Sequence, residues 1–516
     1  MSGFTSLGKK SLGGGGGLNA NATGPFGTSL VSESSSTAQS CFTYDLGPAS
    51  WTSFTNGTGA DTSVSNGVLS VTSGTSLSGS AFTRLSRGIR YRAGQGSMVR
   101  ITALFGAGQS DTLQLAGMGN SESGYYFAMS GSNFGILHRE KSSLEVRKFT
   151  ITSAPAGSAN LTLTLDGKVA TVPVNGGSST SQTAYQATVS GSFSTIGSGW
   201  FAEAHGSDLY IASRKAGPFG GTFSLFNGAS SIATVTTTTA GELPTQTFIP
   251  QSSWNVDPMD GTGQSRFTLD RTKGNVYGVG LQYLGYGNAF FSVEDPETGL
   301  LTTCHMIRNA NSRTTPVVKD PYMTAKWHVE NSGSLASSVT LKGASAANFV
   351  EGKILRNVGP SFSVLAEKIG PGDDVENVLV PVLTIRANSI HKGRVCHGEI
   401  DPFNMTVGSD TGNASSTTLV TVYIYKNVDL GGPVNFKYVD SANSICSYDT
   451  TATSITTTTR SKLIKSFVLS ANNSLVLDLE QENFFLCSGE TLTIAAKCNK
   501  NNNSDVTVSL SWFEDQ

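Results

Sequence analysis

Apolar and polar residues alternate with a period of two in many short stretches of this chain. The clearest alternation runs from Thr418 to Tyr425, as Thr-Leu-Val-Thr-Val-Tyr-Ile-Tyr. Because successive side chains of a β-strand point to opposite faces, this pattern predicts strands with one buried face. Similar stretches recur from about residue 67 to residue 512, separated by Gly, Asp, Asn and Pro clusters that are typical of turns. The pattern predicts an all-β protein.

Turn residues predict where two of these strands reverse. Asp166-Gly167 lies between two apolar stretches, and Asp-Gly favours a two-residue hairpin. The returning strand contains Pro173, which has no N–H to donate, so we expect this strand at a sheet edge. A five-residue loop at Asp295–Gly299 predicts a second hairpin. A short helix is predicted in residues 345–355.

A central stretch, residues 251–331, has the most distinctive sequence. Tyr277, Val279, Leu281 and Tyr283 share one face of a predicted strand. The stretch resembles a segment that recurs in virion structural proteins of tailed phages and large double-stranded DNA viruses. The resemblance rests on Trp254-Asn255, Asp260-Gly261-Thr262-Gly263, Leu269-Asp270, Thr272-Lys273, Gln282-Tyr283-Leu284-Gly285 and Trp327-His328-Val329-Glu330-Asn331. It implies a virion component, located in the virus particle, and implies no reaction.

The length, 516 residues, and the short regular strands predict two or three antiparallel β-sandwich domains, jelly-roll or concanavalin-like. A Gly/Ser-rich N-terminal segment cannot offset its ordering entropy by burial, so we expect a flexible arm. The predicted boundaries are 1–40 for the arm, 41–226 for an N-terminal sandwich, 227–250 for a linker, 251–385 for a central β domain and 386–516 for a C-terminal β domain. The last two regions are alternatively one unit.

Charge and hydropathy exclude several partners. Charged residues are 14% of the chain and the formal net charge is −2, which argues against a nucleic-acid partner. We expect no membrane span, because no stretch of about 18 apolar residues occurs. The first residues lack the apolar run of a secretory signal, so we expect synthesis in a host cytoplasm without conventional export.

The cysteines and histidines offer no defined metal or cofactor site, and we expect none. Six cysteines are few for this length. Cys487 and Cys498 flank a predicted hairpin, where they either pair or remain two buried free thiols. The densest group of metal-ligand types is His391, Cys396, His397 and Glu399, and its spacing matches no defined ligand pattern.

One basic cluster stands out in the predicted N-terminal sandwich. It consists of Arg84, Arg87, Arg90, Arg92 and, further along, Arg100. Arginine side chains on neighbouring strands can bind an acidic glycan or an acidic partner surface. The alternative is a solvated strand face with local ion pairs. The first four residues are our candidate contacts for a glycan or an acidic partner.

Carboxylates matter because some virion β-proteins cleave polysaccharides with a pair of acids. Asp257, Asp260 and Asp270 are close in sequence, but each lies beside turn residues and is explained by turn capping. No nucleophile elbow or phosphate loop occurs. We therefore expect a protein that is not an enzyme. The leading hypothesis is a virion structural component that forms homo-oligomers and contacts other virion proteins. The alternative is a glycan-binding module for host attachment, and a polysaccharide-degrading enzyme ranks third.

Overall fold

The computed structural model describes residues 34–515 with short gaps. The gaps are at 48–49, 93, 176–178, 192, 194–195, 197–198, 353–358, 370–374, 377, 411–418, 471, 480–484 and 500–503. Almost all regular structure in the described part is antiparallel β-sheet. Within that part no helix is long and apolar enough to span a membrane.

The strands of the first half form two units. The first unit begins with β1 (Ser34–Cys41), β2 (Trp51–Asn56), β3 (Ala60–Ser65), β4 (Val68–Ser73), β5 (Ser80–Leu85), β6 (Ser97–Ala103), β7 (Thr112–Gly119), β8 (Gly124–Ser130) and β9 (Asn133–Glu140). The second unit is inserted next and comprises β10 (Leu144–Ile151), β11 (Ala159–Leu165), β12 (Lys168–Val174), α1 (Thr180–Ser190), β13 (Trp200–His205), β14 (Asp208–Ala216), β15 (Ser224–Asn227), β16 (Ser230–Ser231) and β17 (Ala233–Thr239).

The second half of the chain completes the first unit and forms a third unit. The first unit resumes with β18 (Thr245–Pro250), a 3₁₀ turn at Gln251–Ser253, β19 (Asn275–Leu281), β20 (Ala289–Glu294), β21 (Leu301–Ile307), β22 (Thr324–Asn331), β23 (Thr340–Gly343) and β24 (Ser345–Glu351). The third unit comprises β25 (Ser361–Lys368), β26 (Val380–Ala387), β27 (Ile390–His391), β28 (Arg394–Val395), β29 (Glu399–Asp410), β30 (Leu419–Lys426), β31 (Asp429–Gly431), β32 (Lys437–Tyr438), β33 (Cys446–Asp449), β34 (Ser454–Thr456), β35 (Lys462–Ser470), β36 (Asn473–Asp478), β37 (Thr491–Cys498) and β38 (Asp505–Asp515).

The first unit is a large sandwich. Its seven-stranded sheet has the order β18-β9-β8-β7-β22-β5-β2, and its six-stranded sheet has the order β1-β24-β6-β19-β20-β21. Both sheets contribute to one core, which contains an aromatic cluster of Phe42, Trp51 and Trp327. Trp327 also donates its indole N–H to the backbone oxygen of Thr102, at 2.8 Å. Trp327 therefore satisfies its one polar atom, whereas the indole nitrogens of Trp51 and Trp254 in the same core are buried without a hydrogen-bond partner among the described residues.

The inserted unit and the C-terminal unit each pair two sheets. In the insert, the sheets β13-β14-β10-β17 and β12-β11-β15-β16 share a core with α1. In the C-terminal unit, β25-β38-β29-β36 and β32-β33-β26-β37-β30-β35 enclose a core in which Trp512 is fully buried. The predicted class, all-β with antiparallel sandwiches, is confirmed.

The sheets divide the chain differently from the predicted boundaries at 226, 250 and 385. Strand β7 pairs with β22 and β6 pairs with β19, so the predicted N-terminal sandwich and central domain share both sheets of one sandwich. The physical reason is that the inserted unit, 144–239, separates strands that are neighbours in space, and alternation along the chain carries no information about such long-range pairing. Residues 34–40 of the predicted arm lie in β1, while residues 1–33 lie outside the described part.

Local turn chemistry was predicted well. Leu165 and Lys168 pair across Asp166-Gly167, both of which have positive φ, and β12 with Pro173 is an edge strand. The hairpin at Asp295–Gly299 joins β20 to β21. The predicted helix at 345–355 was wrong, because residues 345–351 alternate buried and exposed as β24 and pair with both β1 and β6.

Candidate functional site

A cleft of about 850 Å³ opens on the outer face of the seven-stranded sheet, where the inserted unit meets it. Strands β2, β5, β7 and β22 supply most of its floor, β9 adds Arg139, and the end of β14 supplies one wall. Its volume lies in the range of small-molecule binding pockets. We call it the cationic cleft and define it by Phe54, Phe82, Arg139, Arg214, Lys326, His328 and Glu330.

Strand alternation explains why charged residues line this sheet face. In β22, Ala325, Trp327 and Val329 pack into the sandwich core. The intervening residues Lys326, His328 and Glu330 therefore project to the opposite face, into the cleft.

The same alternation in β5 and β9 supplies the next positions of the floor. Phe82 of β5 and Arg139 of β9 line the cleft beside β22. Arg84, two residues after Phe82, is paired in register with Lys326. Two cationic side chains thus lie next to each other on one sheet face, although like charges in that position repel each other.

Among the described residues, one carboxylate in the cleft, that of the half-buried Glu330, forms an ion pair with a cleft arginine or lysine, and the other, Asp111, is exposed. Arg139 donates to Glu330 at 2.6 Å, and no ion pair to Lys326 or Arg214 exists among the described residues. Lys326 is only 5% exposed and Arg139 8% exposed. The Nε atoms of Arg139 and Arg214 are buried without a hydrogen-bond partner. Since unpaired buried charges are costly, loss of a proton from Lys326 or binding of an anion would relieve this excess of positive charge.

The pKa values report the same imbalance. Burial, reinforced by the positive charges of Arg139 and Arg84, lowers the pKa of Lys326 to about 7. Burial, reinforced by Arg84, also lowers the pKa of Arg214, to about 10. Burial alone would raise the pKa of Glu330, but the adjacent Arg139 and His328 lower it to about 2. A bound anion would favour the charged forms of both basic groups.

Aromatic rings stand beside the cations. The Lys326 ammonium lies 4.6 Å from the centroid of the Phe82 ring, and the Arg214 guanidinium lies 5.7 Å from that of Phe54. The two rings are 5.5 Å apart. The rest of the lining is rich in hydroxyl and amide groups, namely Asn56, Ser78, Ser80, Ser110, Thr112, Ser121, Ser130, Gln246, Asn331 and Ser332. The cleft thus combines positive charge, flat apolar surface and neutral hydrogen-bonding groups.

The predicted arginine cluster lies elsewhere, between the large sandwich and the C-terminal unit. Arg90 donates to the fully buried Glu399 through Nε at 2.7 Å and pairs with it through Nη2 at 2.6 Å. Arg87 lies 3.5 Å from the same carboxylate, and Asp515 lies 3.5 Å from Arg90 and 3.9 Å from Arg92. We call Arg87, Arg90, Arg92, Glu399 and Asp515 the arginine junction.

The acidic groups that these three arginines contact therefore belong to the same chain. Tyr322 extends the junction, since its hydroxyl donates to Glu399 at 3.1 Å and accepts from the Gly88 amide at 2.8 Å. A Cβ at Gly88 would lie 2.4 Å from the Tyr322 ring, so this close approach requires glycine. Arg84, which is paired in register with Lys326, forms no ion pair among the described residues, and Arg100 lies exposed on the six-stranded sheet.

The carboxylates considered for catalysis act as turn caps. Asp257 accepts hydrogen bonds from the amides of Met259 and Ser265, at 2.9 and 2.8 Å. Asp260 and Asp270 accept from Thr262 and Thr272 in the same manner. These carboxylates are thus occupied in shaping the loops that follow β18, as turn capping predicts.

The residues that the sequence suggested as possible metal ligands contact different partners. Glu399 belongs to the arginine junction, and His397 Nδ1 lies 3.4 Å from Asp320. Among the described residues, no group of three or more His, Cys, Asp or Glu side chains is arranged to hold a metal ion. Cys487 and Cys498 do not form a disulfide with each other, and Cys498 Sγ donates to the backbone oxygen of Val375 at 2.9 Å.

Sequence reasoning did not identify the cationic cleft. The Lys326-Trp327-His328-Val329-Glu330 stretch was noted only for its resemblance to virion proteins. Its alternation of charged and apolar residues was a usable signal, because three charged or polar side chains then share one strand face. The contribution of Arg214 from the inserted unit carried no such signal.

Comparisons with known proteins add little to these observations. The sequence matches no protein-family model, and it matches no curated protein. Similar solved structures include a lectin from Bauhinia forficata in complex with GalNAc, at 8% identity and a TM-score of 0.20, covering 62% of this chain and 99% of that one. They also include basic winged bean lectin with Tn-antigen, at 10% identity and a TM-score of 0.23, covering 62% and 98%. At such TM-scores the similarity carries no argument, and the fold assignment rests on the sheets and cores described above.

Proposed function

We propose that this protein is a binding module that holds an acidic saccharide in the cationic cleft. The observation that carries the proposal is the buried excess of positive charge. Lys326 and Arg214 have no ion pair among the described residues, and both face a cavity that solvent can enter. A carboxylate or sulfate on a ligand would supply the missing charge and accept charge-assisted hydrogen bonds.

The rest of the lining favours a sugar as the carrier of that charge. The rings of Phe54 and Phe82 offer flat apolar surface, on which the C–H face of a sugar ring can stack. The neutral hydroxyl and amide groups around the opening suit a ligand with many hydroxyls, because each can donate or accept. We propose binding rather than catalysis, because Asp257, one of the carboxylates considered for catalysis, already accepts two backbone hydrogen bonds.

Isothermal titration calorimetry on the whole protein tests the proposal. The probes are oligosaccharides that end in sialic acid or in glucuronate, a galactose-terminated oligosaccharide without charge, and a hexaglutamate peptide. We expect binding of an acidic oligosaccharide and no measurable binding of the uncharged one. Lys326→Met and Arg214→Gln should each weaken binding about tenfold or more, because each removes a charge-assisted contact.

Arg100→Gln is the matched control, since Arg100 is an exposed arginine on the other sheet and should leave the affinity unchanged. Equal binding of the uncharged oligosaccharide, or wild-type affinity in both cleft variants, would overturn the proposal. Tight binding of hexaglutamate without any acidic saccharide would assign the cleft to an acidic peptide instead.

We also propose, as a compatible second function, that the module belongs to a virus particle and serves host attachment there. The support is the resemblance of residues 251–331 to virion proteins. Several of the residues that carry this resemblance also stabilise the sandwich. Trp254 and Trp327 pack in its core, and the Tyr283 hydroxyl donates to the Val318 backbone oxygen at 2.7 Å.

Light scattering on the purified protein, with and without residues 1–40, tests the assembly part of this second proposal. We expect a discrete homo-oligomer for the full chain, because symmetric assembly is the usual way in which virion subunits cover sheet edges. A monodisperse monomer in both forms would contradict self-assembly. The variant that lacks residues 1–40 also loses β1, so its sandwich stability is measured alongside.

A further inference from the structure

Lys326 places a primary amine at the cationic cleft in surroundings that disfavour its charge. The side chain is 5% exposed and forms no ion pair among the described residues. Its nitrogen lies 4.6 Å from the centroid of the Phe82 ring, so apolar surface covers one side of it. Arg84 is paired in register with it on the neighbouring strand, where two like charges repel each other. Burial and nearby positive charge both favour the neutral amine over the ammonium.

The other charged groups that line the cleft do not reverse this preference. They are Arg139, Arg214, Lys215, Glu330 and Asp111. Glu330 pairs with Arg139 at 2.6 Å, and Asp111 is exposed. Burial, the charge of Arg139 and then that of Arg84 lower the pKa of Lys326 to about 7. At neutral pH about half of these amines are therefore unprotonated and nucleophilic, against roughly 1 in 2,500 for a lysine with the ordinary pKa of about 10.4.

A neutral amine beside a charged arginine suits a ligand that carries a carbonyl group next to a carboxylate. An unprotonated lysine amine adds to carbonyl carbons, and a guanidinium pairs with a carboxylate. Arg139 is the nearest source of that guanidinium, since its charge has the largest electrostatic effect on the pKa of Lys326. Arg139 Nε has no hydrogen-bond partner among the described residues. In a 2-oxo acid the carbonyl and carboxylate carbons are directly bonded, so one small ligand can engage both side chains.

We propose that Lys326 forms a reversible Schiff base with a 2-oxo acid in the cationic cleft, while the carboxylate of the ligand pairs with Arg139. The amine nitrogen adds to the carbonyl carbon to give a carbinolamine. The carbinolamine then loses its hydroxyl group and the remaining proton on nitrogen as water, which leaves the C=N bond. No electrons are transferred, so no oxidant or reductant is required. The inference deepens the proposed function, on whose anion-binding cleft it rests, because a sialic acid with a free anomeric centre opens to a 2-oxo acid.

Reductive trapping on the full chain tests the Schiff base. Sodium cyanoborohydride at pH 7 converts an imine into a stable secondary amine, which mass spectrometry of peptides locates. With pyruvate as the probe, we expect one reduced pyruvyl group at Lys326, formed about a hundredfold faster than at the exposed Lys342. The neutral fractions of the two amines differ by about a thousandfold, and the weaker nucleophilicity of the less basic amine offsets part of that difference.

Three controls separate reaction in the cleft from general lysine reactivity. In the chain unfolded by urea, Lys326 and Lys342 should react at similar rates, because the fold no longer lowers the pKa of Lys326. Lys326→Met should remove the fast labelling, and Lys342→Met should keep it. Pyruvamide, the neutral amide of pyruvate, should label Lys326 about tenfold more slowly or less, because it offers Arg139 no carboxylate. Changing the ligand leaves the pair of Arg139 with Glu330 intact.

The outcomes distinguish this inference from the proposed function. Labelling of Lys326 no faster than that of Lys342 in the folded wild type would overturn the Schiff base, and equally fast labelling by pyruvamide would overturn the role of Arg139. Calorimetric binding of an acidic oligosaccharide without any trapping of pyruvate would overturn the Schiff base alone and leave the proposed function in place. Fast trapping in a protein that binds no acidic oligosaccharide would support the Schiff base and overturn saccharide binding instead.

Discussion

The arginine junction and the cationic cleft are both rich in cations, and they differ in how far nearby carboxylates compensate the positive charge. In the junction, Glu399 and Asp515 lie within ion-pair distance of Arg87, Arg90 and Arg92. In the cleft, Arg139, Arg214 and Lys326 face the half-buried carboxylate of Glu330, which pairs with Arg139, and the exposed carboxylate of Asp111. Arg84 lies beside Lys326 on the neighbouring strand.

The difference separates a structural role from a binding role. Compensated charges between two units stabilise their packing, and removing one partner leaves the other buried without compensation. Uncompensated charges that face a cavity reduce the stability of the empty protein and favour a ligand of opposite charge. Substitutions of the same type should therefore have opposite effects on stability in the two regions.

The largest effect is expected for Glu399→Gln in the arginine junction. The substitution leaves Arg90 and Arg87 facing a neutral amide, so we expect the free energy of unfolding to fall by about 3–5 kcal/mol. Urea unfolding followed by tryptophan fluorescence measures it. Glu297→Gln, at an exposed loop position, is the matched control and should change the stability by less than about 0.5 kcal/mol. Similar losses in both variants would remove the distinction between the junction and an ordinary surface.

The next effect has the opposite sign and concerns Lys326→Met in the cleft. Methionine keeps the length of the side chain and removes a buried charge that has no ion pair, so we expect the free energy of unfolding to rise by about 1–2 kcal/mol. The same urea titration measures this change. Saccharide binding should weaken about tenfold or more in the same variant.

A clear loss of stability in Lys326→Met would show that the ammonium is compensated after all, and the comparison between the regions would fail. Lys342→Met supplies the control, because Lys342 is an exposed lysine on β23 and its substitution should leave both stability and binding unchanged.

The third prediction concerns pH. The pKa of Lys326 is lowered to about 7 in the folded protein, below the usual range of a lysine in an unfolded chain. The folded state therefore releases this proton first, and stability rises with pH from about 7 towards the unfolded pKa. Affinity for an acidic saccharide moves the other way, because deprotonated Lys326 cannot pair with an anion. We expect binding about fivefold weaker at pH 8 than at pH 6.

The other groups that face Lys326 do not reproduce this dependence. Arg84 and Arg139 remain charged across the interval, and the pKa of Glu330 lies far below it, at about 2. Burial, followed by the charge of Lys326, lowers the pKa of His328 well below its usual value, so this ring is neutral throughout. Calorimetry at the two pH values measures the effect in the wild type. A pH dependence that persists in Arg214→Gln is consistent with Lys326 as its source, whereas no dependence in the wild type would contradict it.

The fold class and local turns could be predicted because they depend on neighbouring residues. Asp166-Gly167 forms a hairpin through its own backbone preferences, and the alternation around Tyr277 places one strand face in the core. The pairing of β7 with β22 joins residues more than 200 positions apart, and no local preference encodes it. The domain boundaries consequently differed from the sheets.

The candidate site could not be predicted for the same reason, because it depends on residues that are distant in sequence. The sequence shows five arginines close together, but the fold places Arg84 in register with Lys326 and pairs Arg90 with Glu399, in another unit. Whether an arginine is free or paired depends on that distant carboxylate, which spacing along the chain does not reveal. The cleft combines β2, β5, β9, β14 and β22, so its charge balance exists only in the folded protein.

The smallest effect is expected for Arg92→Ala, which tests how far the junction acts as separate pairs. Arg92 approaches Asp515 only to 3.9 Å, and Asp515 keeps Arg90 at 3.5 Å when Arg92 is removed. Because the remaining carboxylate is still paired, we expect the free energy of unfolding to fall by about 0.5 kcal/mol. The urea titration used for Glu399→Gln measures it. A loss as large as that of Glu399→Gln would show that the junction is one coupled network, in which each cation supports the others through the two carboxylates. A small loss would locate its stabilising contribution in the buried pair of Arg90 with Glu399.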